Sequence, residues 1–81
     1  MVTGKKNKEV TFEIVQEIAT LATNSKGWSK ELNYVSWNDG QPKFEIRCWD
    51  AEHTKAGKGV TFTEEELSAL RYVLNELFED K

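Results

Sequence analysis

Alternating and periodic apolar positions divide the chain into four extended segments followed by one helix. Residues 28–37 are rich in aromatic side chains, and residues 43–49 alternate between apolar and polar positions, which predicts a strand in each segment. A shorter segment, residues 59–63, predicts a fourth strand. Residues 67–78 instead repeat apolar side chains every three or four positions, which predicts an amphipathic helix.

The first segment, residues 10–22, fits two patterns. Its first three apolar residues alternate as in a strand, whereas Ile14, Ile18 and Leu21 also match one face of a helix. The β-branched content and the lack of a capping residue favour a strand with a bulge at Ile14-Val15. Periodicity alone keeps the helix as an alternative.

A turn at Asn38-Asp39-Gly40 predicts a hairpin between the second and third strands. Its register has two possibilities. A two-residue turn pairs Val35 with Phe44 and directs Trp28 to the open side of the sheet, whereas a three-residue turn directs Trp37 there instead. The sequence leaves both registers open.

The helix has a clear start. Thr63 and Glu66 form a capping box, and three glutamates in the first turn suit the positive end of the helix dipole. The resulting order, β-β-β-β-α, predicts an α+β domain: a four-stranded antiparallel sheet with one C-terminal helix on one side. We expect residues 1–9 to be a disordered tail and residues 10–79 to be a single domain.

Composition narrows the class of protein. The chain has 81 residues, one cysteine and one histidine, so neither an internal disulfide nor a structural zinc site is expected. It has no apolar run long enough to cross a membrane. We therefore expect a cytoplasmic protein, with nucleoid association possible, that has no cofactor and no membrane partner.

The distribution of charge and tryptophan indicates a binding surface. The net charge is −3, but residues 64–81 carry six acidic and two basic residues, which leaves the rest near neutral. Strand 43–49 should direct Lys43, Glu45, Arg47 and Trp49 away from the core, onto the open side. Exposed aromatic rings beside cations suit unpaired bases, which stack for about 1–3 kcal/mol each, and their phosphates. The competing interpretation is that all three tryptophans fill the core.

Three segments resemble a known family: SKGWSKELN at residues 25–33, IRCW at residues 46–49 and GKGVTFTEE at residues 57–65. In this order and spacing they resemble the bacterial YdbC-type proteins of the positive cofactor four (PC4-like) superfamily, over residues 12–78. The resemblance implies a curved sheet, a homodimer formed through the helix, and binding of single-stranded DNA with little sequence preference. A role as a coactivator-like transcription factor or a replication or repair accessory follows from the same resemblance.

Carried over by position, the resemblance implies two sets of residues. The candidate nucleic-acid-binding residues are Lys26, Trp28, Lys30, Trp37, Lys43, Arg47, Trp49 and Lys58. The candidate dimer-interface residues are Leu70, Val73, Leu74, Leu77 and Phe78. Nothing in the sequence separates DNA from RNA as the partner.

Other functions have weaker support. The loop around His53 is expected to be solvated, Cys48 to be a small core residue, and the glycines at 57 and 59 to let backbone approach a phosphate or another strand. With no catalytic constellation, we expect a non-enzyme. The alternative function is a protein–protein adaptor whose open sheet face contacts the transcription machinery.

Overall fold

A computed structural model describes residues 10–79; the expected N-terminal tail, residues 1–9, lies outside the described residues. The chain forms four strands and one helix in the predicted order. The strands are β1 (Phe12–Thr23), β2 (Ser29–Trp37), β3 (Lys43–Trp49) and β4 (Ala56–Phe62), and the helix is α1 (Glu64–Phe78). The strands form one antiparallel meander with spatial order β1-β2-β3-β4. The predicted α+β fold is therefore confirmed, with β4 starting three residues earlier than expected.

The first segment is a strand, and the predicted bulge is present. The register of β1 against β2 shifts between Ile14 and Gln16, and it shifts twice more, between Glu17 and Ala19 and between Thr20 and Ala22. Each bulge inserts one residue and bends the strand. Phe12, near the start of β1, consequently packs against the aromatic rings of β2 and β3.

The hairpin adopts the second of the two predicted registers. Val35 pairs with Lys43 and Tyr34 pairs with Phe44, so Trp37 shares a sheet face with Arg47 and Trp49. The chain reverses at Asn38 and Asp39, which have φ of 52° and 61°, and Gly40 donates its N–H to the Trp37 carbonyl at 2.8 Å. Asparagine and aspartate tolerate this left-handed conformation better than other residues with a Cβ, which explains their place in the turn.

The helix begins as the capping box predicts. The Thr63 hydroxyl accepts from the Glu66 N–H at 3.0 Å, and the Glu66 carboxylate accepts from the Thr63 N–H at 2.9 Å. The first helical turns lie beside Phe44, where Leu67, Ser68 and Arg71 line a shallow groove with it. No described residue of the helix is buried, so the expected cover over this side of the sheet is largely missing within one chain.

The two faces of the sheet differ from expectation in their burial. The face beside the helix, which we call the helix face, is only partly buried. Its members on β2 and β3 are Lys30, Leu32, Tyr34, Ser36, Phe44, Ile46 and Cys48. The opposite face, which we call the Trp49 face, holds the most buried side chains; its members are Glu31, Asn33, Val35, Trp37, Lys43, Glu45, Arg47 and Trp49. Phe12 of β1 and His53 of the loop after β3 cover part of the Trp49 face, whereas no described residue of α1 is buried against the other face.

Candidate nucleic-acid interface

Trp49 forms the centre of an aromatic cluster on the Trp49 face. Its ring lies 4.9 Å from the Phe12 ring, 6.2 Å from Trp37 in a nearly parallel stack, and 5.7 Å from His53. Trp49 has no exposed surface at all. The expectation that its indole is exposed on an open platform is therefore wrong, although its predicted face, away from the helix, is right. Rings packed from three sides leave no room on Trp49 for a base in this conformation.

Arg47 is placed on the predicted face but is held by the protein itself. Its Nε donates to Glu45 Oε2 at 2.8 Å, Nη2 donates to Glu45 Oε1 at 3.1 Å, and Nη1 donates to the Gly57 carbonyl at 3.0 Å. The guanidinium carbon also lies 4.8 Å from the centre of the Trp37 ring. The positive charge of Arg47 is thus paired with the Glu45 carboxylate, which is 1% exposed. The planar guanidinium is also stacked on the Trp37 indole.

Glu45 connects these groups. Besides Arg47, its Oε1 accepts from the Trp37 indole N–H at 2.9 Å. A buried carboxylate is tolerated only when charged or polar donors satisfy it, and Trp37 and Arg47 do so here. Glu45 therefore fixes the relative orientation of an aromatic ring and a guanidinium on the Trp49 face.

A second buried carboxylate, Glu31, anchors the loop after β3. It accepts from Ser29 at 2.6 Å and from the Asn33 amide at 2.9 Å, and both oxygens lie within 3.0 Å of His53 Nε2. Burial raises the pKa of Glu31, but these hydrogen bonds and the nearby imidazole outweigh burial and hold the pKa below its ordinary value of 4.5. The ionised carboxylate is consequently the form that the fold favours.

His53 was expected in a solvated loop, and that expectation is wrong. Its imidazole is half-buried between Glu31 and the Trp49 ring, and its φ of 59° is unusual for a residue with a side chain. No sequence signal could locate this contact, because Glu31 and His53 lie 22 positions apart. Among residues 10–79, no group of three or more His, Cys, Asp or Glu side chains could hold a metal ion.

The carboxylate of Asp50 closes the same loop. It accepts from the backbone N–H groups of Thr54 and Lys55, each at 2.8 Å, and from the Thr54 hydroxyl. The backbone hydrogen bond from Lys55 has the largest effect and, with those from Thr54, lowers the pKa of Asp50 below its ordinary value. Loop 50–55 is thus held in one shape at the border of the aromatic cluster.

The structure divides the eight candidate residues into separate groups. Trp37, Lys43, Arg47 and Trp49 share the Trp49 face, and of these only Lys43 is fully exposed. Lys30 lies on the helix face and Trp28 immediately precedes β2. Lys58 lies on β4 where its pairing with β3 shifts, between the pairs Arg47–Gly59 and Trp49–Ala56. Lys26 is exposed in the turn between β1 and β2.

Trp28 packs on Gly57, apart from the candidate residues on the Trp49 face. A methyl group added at Gly57 would lie 3.2 Å from the Trp28 ring and 3.3 Å from the Cys48 Cβ. Trp28, Lys30 and Cys48 also line a common cavity of about 240 Å³. We refer to Trp28 and Lys30, together with Lys58, which follows Gly57 in the chain, as the Trp28 group.

The predicted role of the glycines as points of close approach is confirmed for Gly59. A methyl group there would lie 2.7 Å from the Arg47 Cβ and 2.8 Å from the Ile46 carbonyl oxygen, so β4 lies directly against the β3 residue that carries the guanidinium. Only glycine fits this position without displacing Arg47.

Comparison with known proteins identifies the family. A model of the family "Transcriptional Coactivator p15 (PC4)" matches residues 24–73, which include β2, β3, β4 and most of α1. The chain belongs to the PC4 family. An uncharacterised protein of Treponema pallidum (strain Nichols) is 42% identical over 74 residues, which span 91% of this chain and 87% of that protein.

Membership of the PC4 family indicates a DNA-binding, transcription-related function, and the resemblance to the PC4-like superfamily is thereby confirmed. The family is a nucleic-acid-binding, non-enzymatic one. Within the described part of the chain, no helix is both long and apolar enough to span a bilayer.

Proposed function

We propose that this PC4-family protein binds single-stranded DNA as a homodimer, with little sequence preference. The observation that carries the proposal is a sheet face, left free by the helix, that combines Trp37, Arg47 and Lys43 in a chain of this family. Aromatic and guanidinium planes stack on any base, and lysine attracts phosphates, so such a surface reads no base edges. The role would be coactivator-like in transcription, or accessory in replication or repair.

The exposed apolar surface supports the homodimer. Val73, Leu77 and Phe78 on the helix are 58%, 65% and 75% exposed, and the apolar residues of the helix face are only half-buried. The radius of gyration is 15.6 Å, against about 11–12 Å for a compact domain of this length. A second copy that covers the helix stripe would remove this apolar surface from water. The proposed interface consists of Leu70, Val73, Leu74, Leu77 and Phe78.

The candidate cations have different parts in this proposal. Lys43 and Lys26 are exposed and would neutralise phosphates near the Trp49 face. The Trp28 group would contact the single-stranded DNA at the end of the sheet where β2 begins. The Trp28 ring is partly accessible there. Trp49, which is buried, would support the face rather than touch the ligand in this conformation.

Titration of the full chain with labelled oligo-dT tests the function. We expect tryptophan quenching at low salt and an affinity that falls with salt, with a slope of about −0.7 per neutralised phosphate. A matched duplex should bind more weakly, because its bases are not available for stacking. If folded protein shows neither quenching nor a change in oligonucleotide anisotropy at low salt, the proposal is wrong.

An adaptor that docks a protein of the transcription machinery is the second candidate. Aromatic residues and arginine on one exposed face are also typical anchors of protein interfaces. Salt separates the two functions, because a contact anchored by aromatic burial loses much less affinity between low and moderate salt than a phosphate contact does. The same titration with oligo-rU establishes whether RNA is an equivalent partner.

A further inference from the structure

A cavity beside Arg47 has the composition of a base-binding pocket. It measures about 410 Å³ and is lined by two aromatic residues, one arginine and four small or apolar residues, which is within the range of about 300–1,000 Å³ found for small-molecule sites. The lining residues are Val10, Phe12, Trp37, Arg47, Thr54, Ala56 and Gly57. We call it the Arg47 pocket.

The charge of the Arg47 pocket does not favour a phosphate. The arginine that lines it donates two hydrogen bonds to Glu45, at 2.8 and 3.1 Å, and a third to the Gly57 carbonyl. Because the carboxylate offsets the guanidinium charge, the pair presents little net positive charge to a ligand. A phosphate would have to compete with a buried carboxylate for the same donors.

The shape of the Arg47 pocket instead favours a flat ring. The guanidinium is held in one plane by its three hydrogen bonds, and one of its faces lies over Trp37, 4.8 Å from the ring centre. Phe12 lies 5.4 Å from the same indole and contributes a second aromatic wall. Planar guanidinium groups and aromatic rings are the surfaces on which proteins stack unpaired bases.

We infer that the Arg47 pocket is a nucleobase subsite, in which Arg47 acts as a stacking platform and not as a phosphate contact. Glu45 is the positioning residue, because its hydrogen bonds to both side chains hold the Arg47 guanidinium and the Trp37 ring in a fixed relative orientation. This inference rests on the proposed binding of single-stranded DNA and goes beyond it by assigning one base, one pocket and the chemical part of each residue.

The decisive variant is Arg47→Lys. Lysine keeps the positive charge but loses the planar surface. For a platform, we expect affinity for oligo-dT to fall about 5- to 150-fold, the effect of losing one stacked base, while the slope of log affinity against log salt stays unchanged. Lys43→Gln is the matched control, since removing an exposed phosphate contact should reduce the slope by about 0.7.

An oligonucleotide with abasic sites separates the loss of base stacking from a general loss of binding caused by damage to the protein fold. Wild type should prefer oligo-dT to an abasic strand of equal length and charge, and Arg47→Lys should lose part of that preference. Ala56→Leu, at an exposed strand residue that lines the pocket, should fill the cavity and give the same loss without disturbing Arg47.

The outcomes are distinct. If Arg47→Lys and Ala56→Leu both bind oligo-dT as wild type does, or keep the full preference over the abasic strand, the subsite is overturned. Arg47→Gln removes the charge as well, and a salt slope reduced by about 0.7 for that variant would also overturn the subsite, in favour of a phosphate contact. If wild type itself fails to bind oligo-dT, the proposed function fails instead.

Discussion

Buried charged residues, rather than exposed tryptophans, organise the face that we propose for binding. Glu45 and Glu31 are 1% and 6% exposed, and each is satisfied by groups that would otherwise move freely at the surface. Through Glu45 the sheet holds Trp37 and Arg47, and through Glu31 it holds the loop that carries His53. Removing one partner of such a set is costly, because the remaining charge stays buried without compensation.

Trp49→Ala should be one of the most destabilising substitutions in the chain. Removing a fully buried indole from between Phe12, Trp37 and His53 should cost about 3–5 kcal/mol of the free energy of unfolding. Urea denaturation at a fixed protein concentration measures this. Trp28→Ala, at a half-buried ring outside the cluster, is the control and should cost clearly less. Equal losses would contradict the central place of Trp49.

Glu31→Gln should make stability depend less on pH. Because the pKa of Glu31 is lowered in the fold, its carboxylate stabilises the folded state fully above the ordinary value of 4.5, and this contribution disappears as pH falls through the lowered pKa. We expect a loss of about 1–3 kcal/mol at neutral pH that shrinks in acid. Denaturation series at several pH values, with Glu13→Gln at an exposed position as control, measure it. A loss that is the same at every pH would contradict this account.

At the residue scale the sequence predicted faces but not burial. Alternation placed Arg47 and Trp49 on one side of β3, and the structure agrees. Whether that side is covered depends on the curvature of β1 and on a loop histidine 22 positions from its carboxylate partner. Neither appears in a local pattern, so Trp49 looked exposed.

At the scale of elements, local signals were sufficient. The capping box correctly predicted the start of α1, and the alternation of residues 43–49 correctly predicted β3. The phase change at Ile14-Val15 predicted the first bulge of β1. The two later bulges, at Ile18 and Leu21, were not predicted because the three-residue spacing of these apolar side chains equally fits one face of a helix. The hairpin register could not be predicted, because Asn38, Asp39 and Gly40 are compatible with both a two-residue and a three-residue turn.

Thr63→Ala should destabilise the start of α1. The change removes the hydroxyl that accepts from the Glu66 N–H and should cost about 1 kcal/mol, which corresponds to a fall of about 4–8 °C in Tm for a domain of this size. Circular dichroism during heating measures both helix content and Tm. Ser68→Ala, exposed inside the helix, should leave Tm unchanged or raise it slightly. A similar fall for both variants would argue against the cap.

At the scale of the whole molecule, the described part of one chain buries little apolar surface. Among the described residues, Val35 and Trp49 are the only apolar side chains that are fully buried, and the extents of 60 × 32 × 18 Å describe a flat body with a protruding helix. Association with a second copy would add the apolar burial that one chain lacks, which is the physical basis for the proposed homodimer.

Leu77→Glu should therefore dissociate the protein into monomers and lower its stability. Leu77 is 65% exposed in the single chain and lies on the apolar stripe of α1. A charge there would be buried without a partner in a dimer formed through this stripe. Sedimentation velocity measures the mass. The matched control is Tyr72→Glu, on the same helix, 63% exposed and off the stripe, which should remain dimeric. Dimers in both variants would place the interface elsewhere.

The three bulges of β1 also affect how the molecule behaves at high concentration. β1 needs 12 residues to run beside the 9 of β2, so the outer border of the sheet is irregular and its N–H and C=O groups are out of step with any straight strand. Val15, Ile18 and Leu21 are exposed along this border, which in a regular strand would invite fibril growth. Deleting one bulge residue, and so straightening the border, should turn it into a template for aggregation.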